Sequence, residues 1–342
     1  MSPSPSKQLL AKQLLPEQLL QWIQAGHATA IATVLETWGS APRAVGSQLA
    51  IRDDGAFIGS VSGGCIEGDV ITRALDAIES GCSEISDYGV SDTMAWEVGL
   101  ACGGKISVLI EPVSQNGFPV ADLIDLCAAR AEKKSALRQI DLTQFSSSLA
   151  LIENLNPDAP QASTIAEVHR SDRSRMIEHA GDKHFLQIFN PPLRLLIIGA
   201  VHIAQPLSQM AGVAGYDVTI IDPREAFATP ERFPNLEIKH EWPDEALRAL
   251  APDNRTAIVA LTHDPKLDDP ALLAAFESPC FYIGALGSKK TQASREQRMK
   301  DQGIDPNTYA RLHGPIGLPL GGRSPEEIAI AILAQMTQVL RS

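Results

Sequence analysis

Residues 193–198, Leu-Arg-Leu-Leu-Ile-Ile, form the apolar run that most restricts how this chain can fold. The run is followed by Gly199, by a helix-forming segment at residues 206–214 and by a second strand-like run at residues 217–222. A strand, a glycine turn, a helix and a second strand make the repeating unit of a doubly wound parallel sheet. We therefore predict an α/β fold whose C-terminal domain, residues 191–342, is Rossmann-like.

The glycine turn of this unit matches a dinucleotide-binding turn only in part. Gly199 stands at the first glycine position, and Asp222 ends the second strand, where Rossmann folds place the carboxylate that binds ribose. Ala204 is a tolerated replacement for the third glycine, but Val201 occupies the second position, where a side chain would meet the pyrophosphate. Gly199 and Asp222 are therefore candidate ligand-binding residues, whereas Val201 argues against ordinary NAD(P) binding.

A second glycine turn lies in the N-terminal half, between a strand predicted at residues 56–61 and a helix predicted from Ile66. This turn contains Gly63, Gly64 and Cys65. Because a helix N-terminus has free amide groups and the positive end of the helix dipole, it stabilises a bound anion or a thiolate. Thiolates bind metals, so Cys65 is a candidate metal ligand. The alternative is a tight turn in which Cys65 is only a small buried apolar residue.

Three more candidates lie in the N-terminal half. Trp38 and Arg43 share a loop after the strand predicted at residues 28–37, and an aromatic plane beside a guanidinium suits a ligand with phosphate or carboxylate groups. A hydrophobic lid and a solvated charge are the alternatives for these two residues. Cys102 is a second thiol beside glycines, which favours a joint role with Cys65, although the sequence does not show that the thiols meet.

Later loops of the C-terminal domain keep polar residues after predicted strands, which is where open α/β sheets bind ligands. Two such loops supply the candidate residues Thr262, His263, Asp264, Gly284, Gly287 and Ser288. The loop with Gly287 precedes a helix and suits a phosphate cradle. For His263, a hydrogen-bonded loop histidine is the alternative. Ser324 and Glu327 are predicted to open the last helix as a capping box.

The sequence also predicts how the chain divides into domains. The Asn-Pro-Pro sequence at residues 190–192 marks a boundary, because proline disfavours continued regular structure. We predict an N-terminal mixed α/β domain at residues 1–115 and a connecting segment at residues 116–190, partly packed on that domain. The Rossmann-like domain at residues 191–342 follows.

Composition excludes several classes of function. The 342 residues include 29 basic and 41 acidic side chains, and the net charge of −12 argues against binding to nucleic acid or to an anionic membrane. Five widely spaced cysteines without a Cys-x-x-Cys pair predict neither a disulfide framework nor a zinc knuckle. No run approaches the ~20 apolar residues of a membrane span, and the N-terminus has no secretory apolar region. We expect a soluble, cytoplasmic protein.

Five motifs, taken together, are those of a known protein family. They are Thr-Trp-Gly-Ser-Ala-Pro-Arg at 37–43, Gly-Ser-Val-Ser-Gly-Gly-Cys-Ile-Glu-Gly at 59–68, Thr-His-Asp-Pro-Lys-Leu-Asp-Asp at 262–269, Tyr-Ile-Gly-Ala-Leu-Gly-Ser at 282–288 and His-Gly-Pro-Ile-Gly-Leu at 313–318. In this order they closely resemble the XdhC/CoxI family, the accessory proteins of molybdenum hydroxylases such as xanthine dehydrogenase and aldehyde oxidase.

The resemblance implies a protein that binds the molybdenum cofactor, either molybdopterin or its cytosine dinucleotide form. It also implies that the protein shields the cofactor while its sulfido ligand is installed and then hands it to the apo-enzyme. Cys65 matches the cysteine of the family's Ser-Gly-Gly-Cys motif, and Glu67 lies in the longer matching stretch at residues 59–68. Gly199 and His202 match the family's Rossmann turn, from which Val201 departs.

We therefore predict a cofactor-binding maturation chaperone rather than a turnover enzyme. Its expected partners are an apo molybdenum hydroxylase and a cysteine desulfurase, and a homodimer is left open. A competing hypothesis is an NAD(P)-dependent oxidoreductase, with Asp222 on the ribose and Cys65 or His263 in the chemistry; Val201 counts against it. A third hypothesis is a scaffold that only bridges the desulfurase and the target enzyme.

Overall fold

The computed structural model describes residues 15–39, 43–89, 104–179 and 181–341. It divides the chain into two compact units, Met1–Pro191 and Pro192–Ser342, which are described in turn. The candidate thiol Cys102 lies outside the described residues.

From residue 15 onwards, the first unit contains a helix and then a five-stranded antiparallel sheet with a second helix. The elements are α1 (Leu15–Gln24), β1 (Thr29–Trp38), β2 (Gln48–Arg52), β3 (Phe57–Gly59), α2 (Glu67–Ser80), β4 (Glu84–Tyr88) and β5 (Lys105–Pro112), and the strand order is β3-β2-β1-β5-β4. Successive side chains of β1 point to opposite faces of the sheet. Ile31 packs with α1, whereas Ala30 and Ala32 pack with α2, so the two helices cover opposite faces.

A second antiparallel sheet completes the first unit. Its elements are α3 (Val120–Ala131), β6 (Ala136–Asp141), β7 (Ser146–Leu151), a short 3₁₀ turn (Ile152–Asn154), α4 (Ala162–Ser171), β8 (Arg175–His179) and β9 (Asp182–Phe189), with strand order β7-β6-β9-β8. Arg138 of β6 forms a fully buried ion pair with Glu111 of β5, with Nη2 and Oε1 2.8 Å apart. This pair joins strands of the two sheets where water is excluded.

The second unit is a six-stranded parallel sheet with helices between most of its strands. The elements are β10 (Leu193–Ile198), α5 (Ala204–Val213), β11 (Tyr216–Ile221), β12 (Glu237–Lys239), α6 (Pro243–Leu250), β13 (Thr256–Ala260), α7 (Pro265–Glu277), β14 (Tyr282–Ala285), α8 (Lys289–Asp301), α9 (Pro306–Tyr309), β15 (Leu312–His313) and α10 (Pro325–Arg341). The strand order is β12-β11-β10-β13-β14-β15, which is the 3-2-1-4-5-6 order of a Rossmann fold. The predicted α/β class, with its Rossmann-like C-terminal part, is confirmed.

Apolar residues on both faces of β10 explain why this strand lies in the middle of the parallel sheet. Leu195 and Ile197 belong to one buried cluster, and Leu196 and Ile198 belong to another on the opposite face. The last helix begins as predicted: the Ser324 hydroxyl accepts from the Glu327 amide, and the Glu327 carboxylate accepts from the Ser324 amide. None of the helices in the described ranges combines the length and the apolar composition needed to cross a bilayer.

Candidate functional site

The turn between β3 and α2 is organised around the carboxylate of Glu67, which is buried. Four backbone amides donate to it, those of Val61, Ser62, Gly63 and Gly64, at 2.8–3.2 Å. The Ser60 and Ser62 hydroxyls also donate to it, which brings the total to six hydrogen bonds. The side chain that follows the turn therefore holds the turn in place.

These hydrogen bonds determine the ionisation of Glu67. Burial of the carboxyl acts to raise its pKa, but the hydrogen bonds from the hydroxyl and amide of Ser62 and the hydroxyl of Ser60 outweigh that effect and lower the pKa to about 2. The amides of Gly63 and Gly64, which the sequence offered to a cofactor phosphate, thus donate to the protein's own carboxylate. Both glycines have a positive φ, 81° and 119°, which allows the amides to converge.

Cys65 lies on the outer side of this turn and is exposed. The Ser62 hydroxyl accepts from the amides of Cys65 and Ile66, so the backbone under the thiol is fixed as well. Arg43 is next to the turn, because its Nε donates to the Ser60 carbonyl at 3.2 Å. The structure therefore brings together Arg43, Gly63, Gly64, Cys65 and Glu67, five of the residues selected from the sequence.

Trp38 ends β1 and is 50% exposed. It lines a groove of about 290 Å³, whose other lining residues are Leu35, Glu36, Thr37, Val45, Ser174, Arg175 and Met176. An exposed tryptophan beside a groove is available to a flat ligand rather than acting as a lid over the core. The sequence marked Trp38 but gave no sign of the groove, because Met176 is more than a hundred residues away along the chain.

In the second unit, the turn between β10 and α5 is also held by a carboxylate, that of Asp222. This side chain is fully buried and accepts from the Ala200 amide at 2.8 Å and from Arg224 Nη2 at 2.7 Å. Burial acts to raise the pKa of Asp222, but the hydrogen bonds from Arg224 and Ala200 lower it overall. The carboxylate that the sequence offered to a ribose is thus paired with Arg224, which the sequence analysis missed; its signal is the Asp-Pro-Arg sequence after β11.

The other residues of this turn differ in exposure. Gly199 has a φ of 101°, and a Cβ there would lie 2.6 Å from Cγ2 of Thr262. His202 is exposed, whereas Val201 is half-buried and packs against the apolar cluster of the sheet. In the described part of the chain, the amides of Val201, His202 and Ile203 have no hydrogen-bond acceptor. More backbone amides are consequently free to bind a ligand at the start of α5 than in the turn before α2.

The loop after β13 uses its polar groups internally. The Thr262 hydroxyl donates to Asp268 at 2.6 Å, and the Asp264 carboxylate caps α7 by accepting from the Lys266 amide. His263 is exposed and has a left-handed backbone, with a φ of 62°. Thr262 and Asp264 therefore shape the loop, and His263 is the one residue of the three whose side chain points outward.

The loop after β14 is also tightly packed. A Cβ at Gly284 would lie 2.5 Å from Ile316, and a Cβ at Gly287 would lie 2.9 Å from Thr291. Ser288 caps α8, with its hydroxyl accepting from the Thr291 amide. The two glycines thus allow β14 and α8 to approach each other closely. The turn is filled by neighbouring side chains and is not the open phosphate-binding turn that the sequence predicted.

A buried polar cluster under these two loops was not expected from the sequence. Arg295 is 2% exposed, and its guanidinium donates to Gln292 at 2.6 Å, to Asp268 at 3.3 Å and to the Leu286 carbonyl at 3.2 Å. Burial raises the pKa of Asp268. Because Asp268 also holds Thr262, the cluster ties together the loops after β13 and β14. No periodic pattern marks such a cluster, since its members lie on two helices.

The donor set limits the chemistry available. Within the described ranges, no three His, Cys, Asp or Glu side chains converge in a way that could hold a metal ion. The first unit instead presents one exposed thiol on a rigid turn beside a guanidinium. Such a site can offer a single soft ligand to a metal that brings its other ligands with it.

Comparison with known proteins links both units to the same group. A family profile described as "XdhC and CoxI family" matches residues 22–89, and one described as "XdhC Rossmann domain" matches residues 195–336. The first match contains the turn of Cys65 and Glu67, and the second contains the turn of Gly199 and Asp222.

Similarity to individual proteins extends over nearly the whole chain. A Bacillus subtilis protein described as a probable xanthine dehydrogenase subunit is 28% identical, covering 90% of this chain and 92% of that protein. The molybdenum cofactor insertion chaperone PaoD of Escherichia coli is 26% identical, covering 93% of this chain and 85% of PaoD. A crystal structure described as a xanthine dehydrogenase from Bacillus halodurans is 27% identical, with a TM-score of 0.73 over 95% of both chains.

Proposed function

Because the chain belongs to the XdhC and CoxI family, we propose that it is a maturation factor that binds the molybdenum cofactor and inserts it into a molybdenum hydroxylase. The recipient is an apo-enzyme of the xanthine dehydrogenase or aldehyde oxidase type. The relatives named above support this proposal, since one of them is called a molybdenum cofactor insertion chaperone and is aligned over most of both chains.

One observation carries the proposal: the Cys65 thiol is exposed on a turn that six hydrogen bonds to Glu67 hold rigid. A thiolate is a soft ligand that suits a sulfur-rich metal centre. A rigid backbone lowers the entropy cost of placing that ligand. The cofactor, when bound, would bring the metal and its dithiolene sulfurs. The Cys65 sulfur would be one further ligand, supplied by the protein, for that metal centre.

Arg43 has a defined part in this proposal. Its Nε is used to hold the Ser60 carbonyl, and in the described part of the chain its two Nη groups have no partner. They can therefore bind the phosphate of molybdopterin or of its cytosine dinucleotide form. The phosphate role falls to Arg43 because the amides of Gly63 and Gly64 are already used by Glu67.

The remaining parts of the proposal concern partners and the cycle. A cysteine desulfurase would supply sulfur while the cofactor is held, and the apo-hydroxylase would then receive it. We assign the contact between the Cys65 thiol and the cofactor to the domain of residues 1–115. The connecting segment of residues 116–190 packs on that domain. The competing oxidoreductase has less support, because the Asp222 carboxylate that it needs for ribose is paired with Arg224.

The test is reconstitution of an apo molybdenum hydroxylase by full-length chain loaded with molybdenum cofactor. We expect Cys65→Ser to unfold at the same denaturant concentration as wild type but to lower bound molybdenum and recovered hydroxylase activity about tenfold or more. Cys82→Ser is the matched control, since Cys82 is also an exposed free thiol, and it should behave as wild type. Equal reconstitution by the Cys65 and Cys82 variants would contradict the proposed role of Cys65.

A further inference from the structure

Strand β1 contains an irregularity that changes which face its last residues occupy. Val34 pairs with Val108 of β5, but Glu36 pairs with Ser107, so Leu35 is an extra residue in β1. Such a bulge reverses the alternation of side chains beyond it. Without the bulge, Glu36 and Trp38 would share the face of Val34, which packs against α2.

With the bulge, Glu36 and Trp38 point to the opposite face. Glu36 lies across from Ser107, and Trp38 lies across from Lys105, both on the face of Leu109. Cross-strand partners share a face of the sheet, so the carboxylate and the indole stand side by side above the groove defined earlier. Bulges of this kind occur next to active sites, where they redirect a side chain.

The groove is lined by both apolar and polar side chains. Val45 and Met176 contribute apolar surface, while Glu36 and Trp38 provide an acceptor and an exposed ring. Throughout the described ranges, no side chain or amide donates to the Glu36 carboxylate and no cation forms an ion pair with it. Arg175, at the rim, is paired with Glu167 at 2.8 Å and is therefore not a counter-ion for Glu36.

The size and chemistry of the groove restrict its ligand. At about 290 Å³ the groove lies at the lower end of the ~300–1,000 Å³ range of small-molecule sites, which suits a ligand part as small as one fused bicyclic ring. An ionised carboxylate only accepts hydrogen bonds, and its two oxygens match two adjacent N–H groups. A tryptophan face stacks on a flat ring. The fitting ligand is a bicyclic heterocycle with an amino group next to a ring N–H.

We propose that this groove binds the 2-amino-4-oxo ring of a pterin, with Glu36 accepting from the 2-amino and N3–H groups and Trp38 stacking on the ring. This inference rests on the proposed function, because molybdopterin contains that ring. Cytosine fits the Glu36 carboxylate less well, since a ring acceptor adjoins its amino group. Guanine shares the donor edge of a pterin and is distinguished by experiment.

The groove is connected to the thiol turn by a short stretch of chain. Val45 lines the groove, and two residues earlier Arg43 holds the Ser60 carbonyl of the turn. Two residues span at most about 7 Å of extended chain. A pterin in the groove can therefore place the attached phosphate near Arg43.

The experiment is calorimetric titration of the full chain with free pterin, with lumazine, which has an oxo group in place of the 2-amino group, and with guanine. Wild type should bind pterin about tenfold or more tightly than lumazine, because lumazine cannot donate from that position to Glu36. Glu36→Gln, which keeps the shape of the side chain, should remove this preference. Trp38→Ala should weaken the binding of both pterin and lumazine, because the stacking surface is lost.

Matched controls are Trp242→Ala, a tryptophan of the second unit that is 51% exposed, and Glu178→Gln, an exposed carboxylate of β8. Both should bind pterin as wild type does. The inference is overturned if wild type does not bind pterin, if it binds lumazine equally well, or if guanine binds more tightly. Molybdenum cofactor retention by wild type is measured separately, so the proposed function can fail while pterin binding stands, and the reverse.

Discussion

Each unit of this protein has a glycine turn between a strand and a helix, and each turn is held by a carboxylate, but the carboxylates differ in origin. Glu67 belongs to the helix that follows its turn and accepts from four amides and two hydroxyls. Asp222 directly follows β11, the strand after the helix, and accepts from one amide of its turn, that of Ala200, while the amide and guanidinium of Arg224 donate its other hydrogen bonds.

The difference explains what each turn can offer a ligand. In the first unit the protein satisfies its own amides, so the turn presents a side chain, the Cys65 thiol, on a rigid base. In the second unit the amides of Val201, His202 and Ile203 have no acceptor among the described residues, so that turn presents backbone groups. When a nearby carboxylate of the protein accepts from the amides at a helix start, the turn can offer a ligand only a side chain. When the carboxylate lies elsewhere, the amides stay free to bind an anion.

The largest expected effect is that of Glu67→Ala on the first turn. Removal of a buried acceptor leaves several amides and hydroxyls without partners, and we expect a loss of about 3–5 kcal/mol in the free energy of unfolding. Urea unfolding measures it. Glu327→Ala is the control, because this carboxylate also accepts backbone amides at a helix start but is exposed, and it should cost clearly less. Equal losses of unfolding free energy in Glu67→Ala and Glu327→Ala would contradict the structural role given to Glu67.

Gly199→Ala should have the next largest effect, now in the second turn. The positive φ and the close approach to Thr262 add up to about 2–4 kcal/mol of destabilisation. Gly64→Ala has the same backbone strain but nothing within 4 Å of the new Cβ, so it should lose less. Adding Thr262→Ser to Gly199→Ala removes the clashing methyl and should recover part of the loss; no recovery would show that strain alone is responsible.

The pH dependence of stability provides a third test. The folded pKa of Glu67 is about 2 against an ordinary value of 4.5, so its contribution is complete above pH 4.5 and is lost as pH falls towards 2. We expect wild type to lose roughly 2–3 kcal/mol more than Glu67→Gln over that interval. The difference curve between wild type and Glu67→Gln, from urea unfolding at each pH, isolates this contribution. Parallel curves would contradict it.

The smallest expected effect concerns NAD binding by the second turn. We expect wild type to bind NAD with a Kd above about 1 mM, because Arg224 occupies the Asp222 carboxylate. Arg224→Ala should strengthen binding more than Val201→Gly does, since Val201 packs on the core cluster. Calorimetry measures both variants. Micromolar binding by wild type would revive the oxidoreductase hypothesis, and a larger gain from Val201→Gly would show that the valine is the main obstacle.

The local pattern of the sequence was enough to predict the fold class and the two turns. Continuous apolar runs such as residues 193–198 suit strands buried on both faces, and glycines at residues 63, 64 and 199 allow backbone angles that other residues resist. The role of Glu67 also has a local cause, because all six of its hydrogen bonds come from residues three to seven positions earlier. A carboxylate three residues after a pair of glycines at a helix start is the sequence signal for this role of Glu67.

Other features depend on residues that are distant in the chain. The contact of Gly199 with Thr262, the burial of Arg295 against Asp268 and the groove between Val45 and Met176 arise only when separate elements pack together. The orientation of Glu36 depends on one extra residue in the pairing of β1 with β5. The sequence by itself determined the parallel-sheet class of the C-terminal part and the positions of the two glycine turns, because periodicity and backbone freedom are properties of short segments. Outside the turn of Glu67, which polar groups were left for a ligand was decided by the tertiary structure, because a hydrogen-bond donor or acceptor is occupied only when its partner is brought to it.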